Sequence, residues 1–204
     1  MKLNIVEKTK EKYFLYEKRH QEIIESAIGV FNAKGYKAAT TAAIAKSARI
    51  SEPTMYKHFK NKKDLFLTCF NSIVNTLFDE NRKIYEKCKD DEVGYFRGVT
   101  KAYFDFVQKN PDKSMFLVHM LSYRDDPDVR KAYQAVIGIQ KKHILAVLKS
   151  AEQKGIVRND IDLRFLSAFF AAQYYSVVAV KEIVDPKLFV FENFSRLAEA
   201  LFKL

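Results

Sequence analysis

An all-α fold is predicted by three features of this sequence. Glycine and proline are scarce, with 6 and 4 among 204 residues, which favours long uninterrupted helices. Apolar residues recur three and four positions apart, as on one face of a helix, and no segment alternates as a half-buried strand does. Helix breakers separate the amphipathic segments, at Gly35, Asn110-Pro111, Asp126-Pro127, Gly155 and Asp185-Pro186.

The first amphipathic segment runs from about residue 19 to residue 34. Its apolar face consists of Ile23, Ile24, Ala27, Ile28 and Phe31. Gly35 is expected to end this helix, because glycine accepts the left-handed conformation that follows many helices. Residues 1–17 form either a basic arm without structure or an extension of the same helix, and the pattern does not choose between them.

Two short helices are predicted next. Thr40 or Thr41 can cap the first, and Ser51 can cap the second, whose first turn contains Pro53. Only Arg49 and Ile50 separate the two helices. So short a link between helices of about two turns is typical of a helix-turn-helix.

Longer amphipathic segments begin at Lys62. The helices predicted after that segment cover residues 93–109, 112–122, 127–154, 162–184 and 188–203. We therefore predict two domains: residues 1–65, with the helix-turn-helix, and residues 66–204, with a larger helical bundle.

Positive charge is concentrated in the first domain. Residues 1–65 hold 14 Lys and Arg against 7 Asp and Glu, whereas the rest of the chain holds 21 against 18. Such a surplus favours binding to the phosphates of DNA. Glu52, Pro53 and Thr54 can meet base edges in the major groove from the first turn of the second short helix. The other residues predicted to contact DNA, chiefly its backbone, are Thr40, Thr41, Arg49, Ser51, Tyr56, Lys57, His58, Lys60 and Lys62.

The run from Ile23 to Phe66 resembles the DNA-binding domain of the TetR/AcrR family. The positions that match in order are Ala27, Phe31, Gly35, Tyr36, Thr40, Ile44, Ala45, Ser51, Thr54, Tyr56, Phe59, Lys62 and Leu65. Two positions depart from the family pattern: Arg49 stands where glycine is usual, and Ala39 where threonine is frequent. Arg49 is expected to adopt a positive φ at some cost.

This resemblance implies a transcriptional regulator, of the repressor type, that binds double-stranded DNA at a palindromic operator. It also implies a homodimer paired through its last two helices, and a pocket for a small-molecule effector among its middle helices. The effector is expected to be apolar or aromatic, from the composition of the second domain alone.

Aromatic residues of the second domain either line such a pocket or fill a core. The residues predicted for the pocket are Tyr103, Phe104, Phe116, His119, Met120, Tyr123, Gln140, His143, Phe170 and Tyr174. The segment 165–180 is apolar nearly all round and carries small residues, which favours a dimer interface over an internal core helix. The residues predicted there are Phe165, Ala168, Phe169, Ala172, Ser176, Phe191, Phe194, Leu197 and Leu201.

Other classes of function lack a motif. There is no glycine-rich phosphate loop and no Gly-x-Ser-x-Gly elbow, so no catalytic residue is predicted. Cys69 and Cys88 are too few and too isolated for a disulfide framework or a zinc site, and we expect neither metal nor cofactor. The first residues lack a secretory signal and the segment 165–180 is too short to span a bilayer, which predicts a cytoplasmic protein without a membrane partner.

Two alternatives remain at this point. The chain could be a helical ligand-binding protein whose DNA-binding domain acts without sequence preference. It could also carry an enzyme in its second domain, which would have to turn a compound over. A large specificity ratio for one palindrome distinguishes the regulator from the first alternative.

Overall fold

The structure, a computed structural model, describes residues 2–158, 160–180 and 187–202; within its helices, the side chains of residues 2–6, 174, 176 and 180 lie outside that description. Its helices are α1 (Lys2–Ala38), α2 (Thr41–Ser47), α3 (Glu52–Met55), α4 (Lys62–Lys87), α5 (Glu92–Lys109), α6 (Pro111–Leu121), α7 (Pro127–Gln153), α8 (Leu163–Val180) and α9 (Phe191–Glu199). Over the described residues, extended pairing is limited to an isolated antiparallel bridge between Val157 and Phe202. The predicted all-α fold is confirmed.

The chain divides into two compact units, Met1–Ser72 and Ile73–Leu204. This division lies later than the boundary predicted at residue 65, because the first turns of α4 pack on α1. The ring of Phe66 is 5.0 Å from that of Phe31, and the thiol of Cys69 donates to the carbonyl of Ile24 at 3.8 Å. Phe66 and Cys69 are buried, as are Ile23 and Phe31 on the apolar face of α1.

Of the two alternatives left open for the N-terminus, the structure has the extension of the first helix, because α1 begins at Lys2. The apolar face predicted for residues 19–34 is buried as expected, with Ile23 and Ala27 inaccessible to solvent. Gly35 interrupts the helix at φ 71° and ψ 162°, and helical residues resume as far as Ala38. A positive φ suits glycine because it has no Cβ to clash with the following carbonyl.

The second unit has its main core where α5, α7 and α8 meet, around Tyr95, Phe96, Leu148 and Phe170. Glu92, buried at the start of α5, accepts hydrogen bonds from the Ser150 hydroxyl at 2.6 Å and from Lys154 Nζ at 3.0 Å. Burial acts to raise the pKa of Glu92, but these hydrogen bonds outweigh it and hold that pKa below its ordinary value. This polar link ties α5 to the end of α7.

The last helix is shorter than predicted. The segment 188–190 forms a turn and a bend, so α9 begins at Phe191 rather than at Leu188, and it ends at Glu199. Residues 181–184 of the predicted eighth helix and Lys203 of the ninth lie outside the described residues. Arg97 forms an ion pair with Glu199 that joins α5 to α9.

Candidate nucleic-acid interface

Both short helices of the first unit begin with the side-chain caps that the sequence predicts. The backbone N–H of Ala43 donates to the Thr40 hydroxyl at 3.1 Å, and that of Thr54 donates to the Ser51 hydroxyl at 3.3 Å. Between Thr40 and Thr41, therefore, Thr40 is the cap of α2. The α3 helix is shorter than the two turns predicted, because regular helix ends at Met55 and the chain continues as a turn.

The turn between these helices is closed by a Schellman motif. The N–H of Ile50 donates to the carbonyl of Ala45 at 3.0 Å, and the N–H of Arg49 donates to that of Lys46 at 3.1 Å. This motif places the residue after the C-cap in the left-handed region. Arg49 occupies that position with φ 56°, which confirms its predicted positive φ. Its side chain is exposed beside the turn.

Replacing Arg49 with glycine is expected to raise the free energy of unfolding of the first unit by about 1 kcal/mol, because the left-handed conformation costs a residue with a Cβ. Urea denaturation followed by circular dichroism measures this change. Lys46→Gly is the matched control, because Lys46 lies in ordinary helix and its replacement should lose about 1 kcal/mol. Equal losses from both variants would contradict the assignment of strain to Arg49.

A chain of hydroxyl groups holds Glu52 at the start of α3. The Tyr56 hydroxyl donates to the Thr41 hydroxyl at 3.3 Å, and the Thr41 hydroxyl donates to the Glu52 carboxylate. Thr41 therefore acts on Glu52 from within the protein, whereas the sequence suggested a DNA contact for it. Pro53 is exposed and Thr54 half-buried on the same turn. The arrangement fixes a hydrogen-bond acceptor at the exposed end of the helix.

Lys62, for which the sequence predicts a phosphate contact, donates hydrogen bonds within the protein. Its ammonium group donates to the carbonyls of Tyr36 at 2.8 Å, Ala39 at 2.9 Å and Lys37 at 3.4 Å. An ammonium has three hydrogens, so these carbonyls account for its donors. It also lies 4.6 Å from the centre of the Tyr36 ring. Lys62 thus joins the start of α4 to the end of α1.

His58 is also placed differently from the prediction. Its ring stacks under that of Tyr16 at 4.3 Å, and no described group bonds its buried Nδ1 atom. Burial lowers the pKa of His58, and the nearby charges of His20 and Arg19 lower it further. This shift favours the neutral imidazole, and the ring packs against α1. Lys57 and Lys60, by contrast, are exposed.

Residues 23–69 match the model of the family described as "Bacterial regulatory proteins, tetR family". YhgD of Bacillus subtilis, a helix-turn-helix transcriptional regulator, is 28% identical over 142 residues, which cover 68% of this chain and 69% of YhgD. The "Probable acrEF/envCD operon repressor" of Escherichia coli is 24% identical over 166 residues, or 79% of this chain and 74% of that protein. Residues 23–69 therefore form a DNA-binding domain of the TetR family.

The TetR-family fold extends over both units. The ketosteroid transcriptional regulator KstR2 of Mycobacterium tuberculosis superposes with a TM-score of 0.72 at 19% identity, covering 91% of this chain and 95% of that one. The matched domain and the two relatives named above make the protein a DNA-binding transcriptional regulator, and those relatives are regulators rather than enzymes. Across the described residues, no helix has the length and hydropathy that crossing a lipid bilayer requires.

In the second unit, a cleft of about 670 Å³ opens between α4, α5, α6 and α8. Its apolar lining includes Leu77, Ile84, Phe106, Leu117 and Val178. Charged residues of both signs also line it, among them Lys101 and Asp105, which pair at 2.6 Å. The volume of this cleft lies in the usual range of small-molecule sites, although its lining is more polar than is usual for them.

Of the residues predicted to line a pocket, Tyr103 lines this cleft. Phe104, Phe116, Met120 and Phe170 are buried in the core, and His119 is exposed. Tyr123, Gln140 and His143 are half-buried, and the side chain of Tyr174 lies outside the description. Sequence reasoning missed the contribution of α4, because an apolar stripe at helical spacing does not distinguish a cleft wall from a core.

An exposed apolar patch lies on α8, where Phe165 and Phe169 stack at 6.3 Å and remain 63% and 45% exposed. Ala172 is exposed on the same helix and Leu197 on α9, while Ala168 is half-buried. The other predicted interface residues that are described pack internally: Phe194 lies 5.3 Å from Phe104, Phe191 lies 6.4 Å from the same ring, and Leu201 packs on the main core. The Ser176 side chain lies outside the description.

Proposed function

We propose that this TetR-family protein is a repressor that reads a palindromic operator as a homodimer and leaves it when a small apolar or aromatic molecule binds. The observation that carries the proposal is the fixed acceptor at the start of α3, where Thr41 holds the Glu52 carboxylate. A carboxylate so placed can accept a hydrogen bond from the amino group of cytosine in the major groove. The Thr54 side chain and Pro53 complete the reading turn.

Backbone contacts are expected to surround this turn. Thr40, Arg49, Ser51, Lys57 and Lys60 are exposed on the same unit and supply donors for phosphate oxygens. Tyr56 is also exposed, and its hydroxyl would exchange its bond to Thr41 for one to a phosphate. Lys46, also exposed on α2, adds a cation that sequence reasoning overlooked. We assign Lys62 to holding α4 against the end of α1, and His58 to packing the residues that follow α3 on α1, rather than to contacting phosphates.

Selection of bound duplexes from a random library tests sequence-specific binding. The purified protein is expected to enrich a palindrome that it binds at least ~10³-fold more tightly than a scrambled duplex at 0.15 M salt. Near-equal affinity for both duplexes would instead favour a protein that associates with DNA without reading it. Transcription from a promoter carrying the selected palindrome should fall when the protein is present, and a rise would make it an activator.

The apolar patch on α8 supports the homodimer. Two large aromatic side chains that remain exposed on one helix are unusual in a monomer, and a two-fold interface covers the same patch on both copies. The small side chains of Ala168 and Ala172 on the same helix allow close approach of a partner helix.

The double variant Phe165→Glu/Phe169→Glu is expected to be monomeric and to bind the palindrome at least 100-fold more weakly, because two reading heads would no longer bind as one unit. Sedimentation equilibrium gives the oligomeric state. Phe14→Glu/Leu15→Glu introduces the same charges at apolar positions that are 66% and 57% exposed in the first unit, and should stay dimeric. A dimeric Phe165→Glu/Phe169→Glu protein would place the interface elsewhere.

The cleft of the second unit supports an effector site. Its apolar walls suit a steroid, acyl or aromatic body, and the fold is shared with a regulator named for ketosteroids. The α4 helix contributes Leu77 and Ile84 to the cleft and Lys62 to the first unit, so we assign transmission to it. A ligand changes DNA binding only if it binds one arrangement of the protein more tightly than the other.

Filling the cleft is expected to weaken the response to an effector without changing the affinity for the operator. Ala102 lines the cleft on α5, and Ala102→Phe should weaken any effector at least about 10-fold by taking up its space, while operator affinity stays unchanged. Steroids, fatty acids and aromatic acids can be screened by thermal shift and then by release of operator. Ala135→Phe on the exposed face of α7 is the control. Equal responses of wild type and Ala102→Phe would move the site away from this cleft.

A further inference from the structure

More than three turns near the start of α1 are exposed to solvent at every position. All side chains from Glu7 to Arg19 are exposed, over a length of about 20 Å at 1.5 Å per residue. The segment 7–16 is named the α1 arm here. An unsupported helix of this length is marginal in water, so its docking at one end matters.

The α1 arm is docked on the residues that follow α3. The Tyr16 ring stacks on His58 at 4.3 Å, and the Tyr16 hydroxyl donates to the Lys57 carbonyl at 3.5 Å. One turn later, the His20 ring stacks on Phe59 at 4.5 Å. The arm is therefore fixed to the end of the helix that the proposed function places on DNA.

Charge is unevenly distributed around the α1 arm. Glu7 and Glu11 lie one turn apart and share a face of the helix. Tyr13 follows Glu11 by two positions, and such residues point about 200° apart, so Tyr13 lies on the opposite face. Lys10 and Lys12 lie on opposite sides of Tyr13 around the helix. Lys10 precedes Tyr13 by three residues, and Lys12 precedes it by one. The face that continues from the Tyr16 contact thus carries Tyr13 and the lysines, while Glu7 and Glu11 face away. Glu17, just beyond the arm, lies one turn after Tyr13 and close enough to His58 to oppose the lowering of its pKa.

Exposed apolar side chains of the arm do not form a continuous stripe. Tyr13, Phe14 and Leu15 are 67%, 66% and 57% exposed, and successive residues of a helix point about 100° apart. A helix that lies on a membrane or in a protein groove needs apolar residues on one face. The arrangement of lysines instead complements a row of phosphates.

We propose that the α1 arm is a second DNA-binding element, which contacts the phosphates flanking the sequence read by α3 through Lys8, Lys10 and Lys12. The inference rests on the proposed function, because the arm is aligned by its contact with the recognition segment. It assigns to Tyr16 the role of holding the arm in that alignment. The arm adds affinity and a minimum operator length without adding base readout.

The triple variant Lys8→Gln/Lys10→Gln/Lys12→Gln tests the proposal on two duplexes, the selected palindrome alone and the palindrome extended by ten base pairs at each end. On the long duplex, affinity should fall at least about 10-fold, and the slope of log affinity against log salt should shrink by about 2 to 5. On the short duplex, the variant and wild type should bind alike. Lys141→Gln/Lys142→Gln/Lys149→Gln removes the same charge from exposed positions of α7 and should change neither slope.

Tyr16 supplies an independent test. Tyr16→Ala should reproduce the loss on the long duplex, whereas Tyr16→Phe keeps the stacking and should bind nearly as wild type. Equal binding of the triple variant and wild type to the long duplex would overturn the proposal. If the triple variant then lost binding to vesicles of anionic phospholipid, the lysines would serve a membrane contact instead, and the proposal would still be overturned. Failure of wild type to enrich any palindrome would refute the proposed function instead.

Discussion

Replacing Lys62 with methionine is expected to lower the free energy of unfolding of the first unit by about 2 kcal/mol, the usual scale for hydrogen bonds made by a charged group. Methionine keeps the length of the side chain but leaves the carbonyls of Tyr36, Lys37 and Ala39 without the donor that binds them. DNA binding should weaken for every sequence alike, because the end of α1 would no longer be held against the start of α4. Urea denaturation and operator titration measure the two effects.

The salt dependence separates this positioning role from a phosphate contact. Lys60→Met is the matched control: Lys60 is exposed, and its bond to Asp64 at 2.8 Å uses the backbone N–H, which the substitution keeps. Stability should change by less than about 0.5 kcal/mol, while the salt slope should shrink by about 1 for each subunit. If Lys62→Met left stability unchanged and reduced the slope instead, Lys62 would contact phosphate.

The largest change in sequence preference is expected from Glu52→Gln. A carboxylate only accepts hydrogen bonds, whereas the amide of glutamine also donates, and a good base contact discriminates by about 1–3 kcal/mol. The amide oxygen can still accept from Thr41, so folding stability should hardly change. Because both subunits carry the substitution, the preferred base pair should change at one position in each half-site. Repeating the duplex selection with the variant gives the new preference.

Thr41→Val is the control for Glu52→Gln, since it removes the hydroxyl that donates to Glu52 but keeps the carboxylate. Discrimination at the same position should become weaker without a new preferred base. Enrichment of the wild-type sequence by Glu52→Gln would show that another residue reads that base pair.

Local signals in the sequence were sufficient for the helix-turn-helix. Thr40, Ser51 and Gly35 act through bonds and backbone angles within a few residues of themselves, so their types predicted the caps and the break in α1. Arg49 departs from the family pattern, yet its positive φ was predictable because the turn demands it. The start of α1 at Lys2 was not predictable, since the Tyr16 contact with His58 joins residues far apart in the chain.

The amino-acid sequence by itself determined the helical class, the caps, the short turn and the membership of a DNA-binding family, because each depends on residue type and spacing along the chain. Only the tertiary structure decided that Lys62 binds backbone carbonyls and that His58 lies beneath Tyr16. It also decided that Phe165 is exposed while Phe194 packs internally, although both belong to apolar stripes. The physical reason is that periodicity identifies the apolar side of a helix, while the element covering that side depends on contacts between distant segments.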